Sequence, residues 1–214
     1  MSPVTGADKE AAMNLVRLTL GNYQTNCYLV WAEGSASCAV IDPGYDPERI
    51  LEKVRSLGLT LDAVLLTHGH FDHVGGVEAI VKATGCALWM QERDWHTPTG
   101  RLYPLSSRQF TEVNFCKDLE EIRAGGLTFT VYETPGHTHG SVCYACEDAL
   151  FSGDTLFAGA CGRIDLPGGS RREMRQSLKR LSELERDFHV FPGHGEPTGL
   201  AHEKQNNPYM KGII

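Results

Sequence analysis

Four potential metal ligands fall within six residues of this chain, in the string HGHFDH. The string follows an apolar segment, LDAVLLT (61–67), that predicts a buried strand, and it precedes a segment, 74–84, that predicts a helix. A loop at the end of a strand is exposed while its flanks are rigid, which suits it to hold ligands. The fold must therefore place this strand end at a metal site, and the predicted ligands are His68, His70, Asp72 and His73.

The ligand types and their spacing favour two ions. Imidazole and carboxylate together suit divalent zinc, iron or manganese, and zinc is the metal that we expect first. A single ion rarely takes four ligands from so short a loop, so two ions sharing it fit the pattern better. Three further residues close apolar segments beside a glycine, which lets the backbone approach an ion closely. They are His137 in TPGHTHGS, Asp154 in LFSGDTLF and His194 in VFPGHG. Asp154 has two carboxylate oxygens and is the natural candidate to bridge the ions.

The remaining segments of the first half predict strands and one further helix. Strands are predicted at 14–20, 26–32, 38–44 and 86–90. The helix is predicted to have Asp46 as its cap, Pro47 in its first turn and Gly58 at its end. Residues 91 to about 117 have no steady period and give no prediction.

The second half of the chain is also predicted to contain strands and helices. Strands are predicted at 126–134, 141–146, 149–153 and 189–193. Ser170 and Glu173 form a plausible capping box before a helical stripe of Met and Leu, and 198–207 predicts a closing helix. Two sheets packed on each other with helices outside are one natural solution. We expect residues 1–13 to be a flexible leader and residues 14–214 to form one domain.

Charge and composition exclude several classes of partner. The net charge is -7, with 27 acidic against 20 basic residues, which argues against a nucleic-acid-binding surface. No segment approaches the roughly 20 apolar residues that span a bilayer, so no membrane partner is expected. The N-terminus lacks a signal-peptide pattern, and an odd count of seven scattered cysteines suits reduced thiols in the cytoplasm. The sequence leaves the oligomeric state open.

The strings THGHFDH, PGHTHGS, SGDTLF and PGHG, in that order, resemble the metallo-β-lactamase superfamily. The resemblance runs from NCYLV to HEKQNNPYM and implies an α/β fold, a four-layer αβ/βα sandwich with the metal site at the edge of the two sheets. It implies that His68, His70 and His137 bind the first ion. It implies that Asp72, His73 and His194 bind the second and that Asp154 bridges both. Asp42, in VIDPG, would lie behind the ligands and orient one histidine.

Within the superfamily, GDTLFAGACGR and the string GHG followed by Glu203 and NNP resemble the glyoxalase II group, the hydroxyacylglutathione hydrolases. The resemblance implies hydrolysis of a small thioester, with glutathione as the candidate carrier, by a metal-bridging hydroxide that Asp72 helps to orient. It implies that Arg163 holds the glutathione carboxylate, for which its guanidinium is suited. The chain ends soon after NNPYM, as in the shorter members of the group, whereas the full-length enzymes carry a further helical segment that contributes to glutathione binding.

Other functions remain open on the same residues. A persulfide dioxygenase would use a single iron held by His68, His70 and His137, and a lactonase would use the same site with a different pocket. A non-catalytic metal-binding protein is disfavoured because all seven ligands are present. Cys143 and Cys146 form a C-x-x-C string, but residues three apart in a strand face opposite sides, so packing is the expected role.

Overall fold

Two six-stranded sheets form the framework of the chain in a computed structural model that describes residues 12–96, 105, 110 and 112–213. The first sheet contains, in spatial order, β1 (Met13–Leu20), β2 (Thr25–Ala32), β3 (Ser37–Ile41), β4 (Thr60–Leu65), β5 (Ala87–Met90) and β6 (Val113–Phe115). The second contains β7 (Glu121–Ala124), β8 (Leu127–Glu133), β9 (Val142–Cys146), β10 (Ala149–Gly153), β13 (His189–Pro192) and β14 (Thr198–Gly199). A separate ribbon pairs β11 (Leu156–Phe157) with β12 (Ala160–Cys161).

The described residues also form six helices. They are α1 (Pro47–Ser56), α2 (Phe71–Val74), α3 (Val77–Thr84), α4 (Glu92–Trp95), α5 (Arg171–Ser182) and α6 (Leu200–Asn206). None of the helices in the described ranges is long and apolar enough to cross a membrane. Of the predicted leader at 1–13, residues 1–11 lie outside the described ranges, and Met13 already belongs to β1.

Among the described residues, three apolar clusters lie between four layers: helices, the first sheet, the second sheet and further helices. The central cluster fills the space between the sheets, where Tyr28 and Val30 of β2 meet Phe151 of β10. The alternate residues of β2, such as Leu29, belong to a second cluster beneath α1 and α3. Leu150 of β10 belongs to a third cluster beneath α5. Because both faces of each sheet are covered, its central strands are apolar on both sides. The predicted αβ/βα sandwich is confirmed.

The two sheets meet at one edge, where several predicted ligands follow strand ends. Strands β3 to β6 run parallel to one another, and so do β10 and β13. The Tyr28 hydroxyl donates to Pro192 O at 2.6 Å, and Asn26 N donates to Gly193 O at 2.8 Å. The Tyr144 hydroxyl donates to Leu66 O at 2.9 Å. These bonds fix the ends of β4 and β13 relative to each other.

Some predicted boundaries differ from the structure for local reasons. The predicted cap of α1 is wrong: Asp46 has φ +48° and makes no side-chain cap bond, although α1 does begin at Pro47. The helix predicted at 74–84 is interrupted at Gly75 and Gly76, which separate α2 from α3. A Cβ on Gly75 would lie 2.2 Å from the carbonyl oxygen of Gly44, so this close backbone approach requires glycine.

In the second half, the N-terminus of α5 has part of the predicted capping box. Ser170 Oγ accepts from Glu173 N at 3.3 Å, while the Glu173 carboxylate contacts His139 instead of turning back to Ser170. The segment predicted at 198–207 begins with β14 before it becomes α6. Cys143 and Cys146 lie on opposite faces of the second sheet, as predicted.

Helix α6 holds the β11–β12 ribbon in place through two buried polar side chains. Glu203 Oε2 accepts from Gly159 N at 2.8 Å, and Asn207 Nδ2 donates to Ala160 O at 3.0 Å and to Phe157 O at 3.3 Å. The two side chains also bond each other at 2.8 Å. The ribbon is therefore fixed by the helix rather than by a sheet.

Replacing Asn207 with Ala is expected to lower the free energy of unfolding by about 2 kcal/mol, because it removes the hydrogen bonds that Asn207 Nδ2 donates to Phe157 O, Ala160 O and Glu203 Oε2. Chemical denaturation of the two proteins measures the difference. Asn206→Ala is the matched control, since Asn206 is exposed and bonds only within its own helix turn among the described contacts. Its expected effect is within about 0.5 kcal/mol. Equal losses in the two variants would contradict the role of Asn207 in holding the β11–β12 ribbon.

Candidate metal centre

The seven residues predicted as ligands come together where the two sheets meet. Four of them lie in the loop and short helix after β4, and the others follow β8, β10 and β13. Three other histidines contact residues outside this cluster: His139 contacts Glu173, His189 contacts Asp148, and His202 contacts Asn206.

The first group of potential ligands is the triad of His68, His70 and His137. One ring nitrogen from each lies within 4.8 Å of the other two. His70 Nδ1 and His137 Nε2 are 2.8 Å apart. Two of the residues are buried and His70 is half-buried, and their nitrogens converge on one space. This triad could hold one metal ion.

The second group is the triad of Asp72, His73 and His194, whose ligand atoms also lie within 4.8 Å of one another. His194 Nε2 is 3.2 Å from Asp72 Oδ2 and 3.3 Å from His73 Nε2. Asp154 lies between the two triads. Its Oδ1 is 3.5 Å from His73 Nε2, and its Oδ2 is 3.4 Å from His137 Nε2. One carboxylate therefore reaches both candidate ion positions.

Hydrogen bonds on the outer side of three rings fix which nitrogen faces the centre. The Nδ1 atoms of His73, His137 and His194 lie 2.9, 2.8 and 3.1 Å from Asp42 Oδ2, Arg163 O and Tyr23 O, respectively. These oxygens are acceptors, so in the neutral form of each ring Nδ1 carries the proton and Nε2 keeps a free lone pair. An outer acceptor that fixes the tautomer of a histidine is typical of metal-ligating histidines.

His68 is oriented in the same sense through Thr67. The Thr67 hydroxyl donates to Asp42 Oδ2 at 2.6 Å, so its oxygen accepts from His68 Nδ1, 3.1 Å away. Asp42 is buried with φ +51°, and its Oδ1 also accepts from Thr67 N at 2.8 Å. Asp42 forms a third close group with His68 and His73. Because it lies on the Nδ1 side of both rings, its geometry suits orientation rather than ligation.

Two buried atoms test whether the centre fits a metal ion. His68 Nε2 and Asp154 Oδ1 have no hydrogen-bond partner among the described residues. A buried polar atom without a partner costs about 1–3 kcal/mol, and both atoms face the centre. A divalent cation would satisfy them, and the nitrogen and carboxylate set suits zinc, iron or manganese. The residues present therefore fit divalent metal.

Burial and neighbouring groups shift the pKa values of the candidate ligands. Burial and the surrounding imidazoles hold the pKa of His68 well below its usual range. Burial and the neighbouring His137 lower the pKa of His70 to about 4. Burial alone would lower the pKa of His73 as well, but the carboxylates of Asp154 and Asp42 raise it to about 9. Neutral His68 and His70 are thus ready to bind a cation at neutral pH.

A cavity of about 540 Å³ opens over the centre. Arg163 lies on its wall, and its backbone carbonyl is the acceptor for His137. The guanidinium makes a two-pronged ion pair with Asp165, with both N–O distances 2.9 Å. The structure thus places the predicted carboxylate-binding residue at the cavity, with a carboxylate of the chain already bound to it.

The sequence did not predict a role for Asp94, although its side chain joins two ligand-bearing loops. Its carboxylate is buried and accepts from Gly69 N at 2.8 Å, from the Thr138 hydroxyl at 2.7 Å and from Gly140 N at 2.8 Å. Gly69 lies between His68 and His70, and Thr138 follows His137. Asp94 therefore fixes the loops of the first triad relative to each other. It lies in the segment without periodicity, and no local pattern marks it.

Replacing Asp94 with Asn is expected to weaken metal binding by about 10- to 100-fold, because the amide turns a donor towards one of the loops that the carboxylate accepts from. Competition with a chromogenic chelator measures the affinity. Asp62→Asn is the matched control: Asp62 also accepts two hydrogen bonds, from the Ser37 hydroxyl and Gly125 N, but it is exposed and bonds neither loop. Wild-type affinity in Asp94→Asn would contradict the role.

Comparison of the sequence with known proteins identifies its family and two named relatives. Residues 20–194 match the family model described as the metallo-beta-lactamase superfamily. The hydroxyacylglutathione hydrolase GloC of Haemophilus influenzae is 31% identical over 211 residues, which covers 92% of this chain and 98% of that protein. The hydroxyacylglutathione hydrolase of Aeromonas hydrophila is 40% identical over 159 residues, which covers 73% of this chain and 56% of that protein.

Three solved structures are similar in fold and in sequence. The BLEG-1 B3 metallo-beta-lactamase has a TM-score of 0.80 at 34% identity and covers 93% of this chain and 100% of its own. TTHA1623, in a di-iron-bound form, has a TM-score of 0.76 at 36% identity, with coverages of 91% and 99%. ETHE1 from Myxococcus xanthus has a TM-score of 0.77 at 29% identity, with coverages of 91% and 83%. The chain belongs to the metallo-β-lactamase superfamily.

Proposed function

We propose that this chain is a two-metal thioester hydrolase of the glyoxalase II type, acting on small hydroxyacyl thioesters such as those of glutathione. The observation that carries the proposal is the position of Asp154, whose two oxygens reach His73 of one triad and His137 of the other. A centre for one ion could use this carboxylate as a ligand, but it would not need one that reaches residues of both triads. The similarity to two proteins named hydroxyacylglutathione hydrolase supports the thioester as substrate.

The ligand roles follow from this proposal. His68, His70 and His137 would hold one ion, Asp72, His73 and His194 would hold the other, and Asp154 would bind both. Asp42 would keep His73 and His68 in the tautomer that leaves Nε2 free. Zinc is the proposed metal, and the di-iron-bound form of TTHA1623 supports iron as the alternative.

The residues of this chain would position the reactants. Bound divalent ions lower the pKa of water, polarise a carbonyl and stabilise a thiolate leaving group. Asp72 Oδ2, which accepts from the Thr25 hydroxyl at 3.3 Å, would orient the attacking water. Arg163 would hold a carboxylate of the substrate at the cavity wall. A thiolate leaves readily, so the site needs no strong general acid.

A persulfide dioxygenase with a single iron is the second candidate. The observation that favours it is that His68, His70 and His137 form a complete triad by themselves. This function would leave Asp72, His73 and His194 without a ligand role. A lactonase would use the same centre with another substrate. The described residues include all seven cysteines and form no disulfide, which supports the cytoplasm as the proposed location.

A substrate panel on metal-quantified protein tests the proposal. We expect hydrolysis of S-lactoylglutathione by protein that holds two ions per chain, with loss of activity after chelation and recovery on adding metal. Oxygen uptake with glutathione persulfide by protein that holds one iron would favour the dioxygenase. Preferred turnover of acyl-homoserine lactones or of β-lactams would overturn the thioester assignment.

Replacing Asp154 with Asn is expected to reduce the metal content from two ions to one or fewer per chain. Thioester hydrolysis should then fall by more than about 100-fold, since even residues that only orient ligands cost about 10- to 100-fold. Elemental analysis and initial rates on the same sample give both values. His139→Ala is the control, because His139 is exposed and contacts Glu173 outside the centre. Full turnover by Asp154→Asn after metal removal would exclude the metal mechanism.

A further inference from the structure

The cavity over the metal centre has two chemically different ends. Beside His194 and Asp72 its wall is aromatic, formed by Tyr23, Phe71 and Phe157. Beside His137 the wall contains Arg163. Of the described residues that line the cavity, Arg163 alone carries a fixed positive charge. The wall also includes Leu166 and Pro167, and the guanidinium of Arg163 is paired with Asp165. A substrate that fills the cavity would therefore meet three aromatic rings at one end and this paired guanidinium at the other.

The aromatic end is held in position by contacts that do not depend on a substrate. The rings of Tyr23 and Phe71 pack edge to face, with centroids 5.1 Å apart. The ring of Phe157 lies edge to face against the His194 ring, with centroids 6.3 Å apart. The carbonyl of Phe157 accepts from Asn207 Nδ2. The backbone of Tyr23 is held by His194, whose Nδ1 donates to Tyr23 O. The three rings thus form a preorganised apolar surface beside the second triad.

Tyr23 keeps a large exposed surface although its ring packs against Phe71. The residue is 59% exposed, whereas Tyr usually buries much of its ring. Phe71 and Phe157 are also only partly buried. Three aromatic rings that lie open to one cavity lose water contact when an apolar group fills it, and that burial is favourable.

The two ends orient a thioester if the proposed function holds. The carrier glutathione contains the carboxylates, whereas a hydroxyacyl group contains none, so the carrier faces Arg163. The acyl group is then directed to the opposite end of the cavity. We propose that Tyr23, Phe71 and Phe157 form an acyl subsite that selects thioesters with an aromatic or other apolar acyl group. This inference rests on the proposed function and names the substrate class of the same site.

Two glutathione thioesters that differ in one substituent test the subsite. S-lactoylglutathione and S-mandeloylglutathione share the carrier, the α-hydroxyl and the thioester, and differ by methyl against phenyl. We expect kcat/KM of the metal-loaded enzyme to be about tenfold or more higher for the mandeloyl compound, since apolar pockets discriminate by about 10- to 200-fold per small apolar group. Most of the gain should appear as a lower KM.

Variants of the aromatic surface assign the preference to these rings. Phe157→Ala and Tyr23→Ala should each lower the mandeloyl-to-lactoyl ratio of kcat/KM at least about threefold, and Phe157→Leu should retain more of it. The exposed side chain of Tyr23 makes its truncation compatible with folding, and its carbonyl remains for His194. Leu119→Ala is the control, because Leu119 is 61% exposed and does not line the cavity. It should leave the ratio unchanged.

The outcomes separate the two levels of inference. Equal kcat/KM for both thioesters, or an unchanged ratio in both aromatic variants with full metal content, overturns the acyl subsite and leaves the hydrolase proposal standing. Hydrolysis of neither thioester by enzyme with two ions per chain overturns both. A high mandeloyl-to-lactoyl ratio that falls in Phe157→Ala and Tyr23→Ala, but not in Leu119→Ala, supports the subsite.

Discussion

The buried carboxylate of Asp42 fixes the orientation of two histidines of the candidate metal centre at the end of a sheet. It accepts from the backbone and hydroxyl of Thr67 and from His73 Nδ1, all within 3.0 Å. Its φ of +51° is uncommon for a residue other than glycine, so the surrounding bonds must hold it there. One strained residue at the end of β3 thereby sets the ring orientation of two histidines after β4. The lone pairs of His68 and His73 face inward because Asp42 and Thr67 occupy their outer sides.

The second sheet completes the centre because the two sheets are joined at this edge. Tyr28 and Asn26 of β2 bond the carbonyls at the end of β13, directly before His194. The apolar cluster between the sheets fixes their separation, and these polar contacts fix their register at the site. Ligands from loops that are far apart in sequence can therefore converge to within hydrogen-bonding distance.

The sequence allowed the site to be predicted where its signals are local. The string HGHFDH combines four ligands after one strand, and the four-layer fold follows from the strands around it and from the family resemblance. Asp94 could not be predicted, because its partners Gly69 and Gly140 lie 25 and 46 positions away and are backbone groups. The cap predicted at Asp46 was wrong because residue type suggests a cap only where the backbone is extended, and Asp46 is left-handed. Strand β6 depends on pairing with β5 and has little signal of its own.

The distribution of ligands along the chain also bears on folding itself. His73 and His194 are 121 positions apart, yet their ring nitrogens are 3.3 Å from each other. An ion bound between them acts as a reversible cross-link, which closes a long loop that the denatured chain leaves open. By mass action, any ion that prefers the native arrangement raises its population in proportion to the free metal concentration. The metal supply of the cell is thus expected to govern how much of this chain resists unfolding and proteolysis, independently of any turnover.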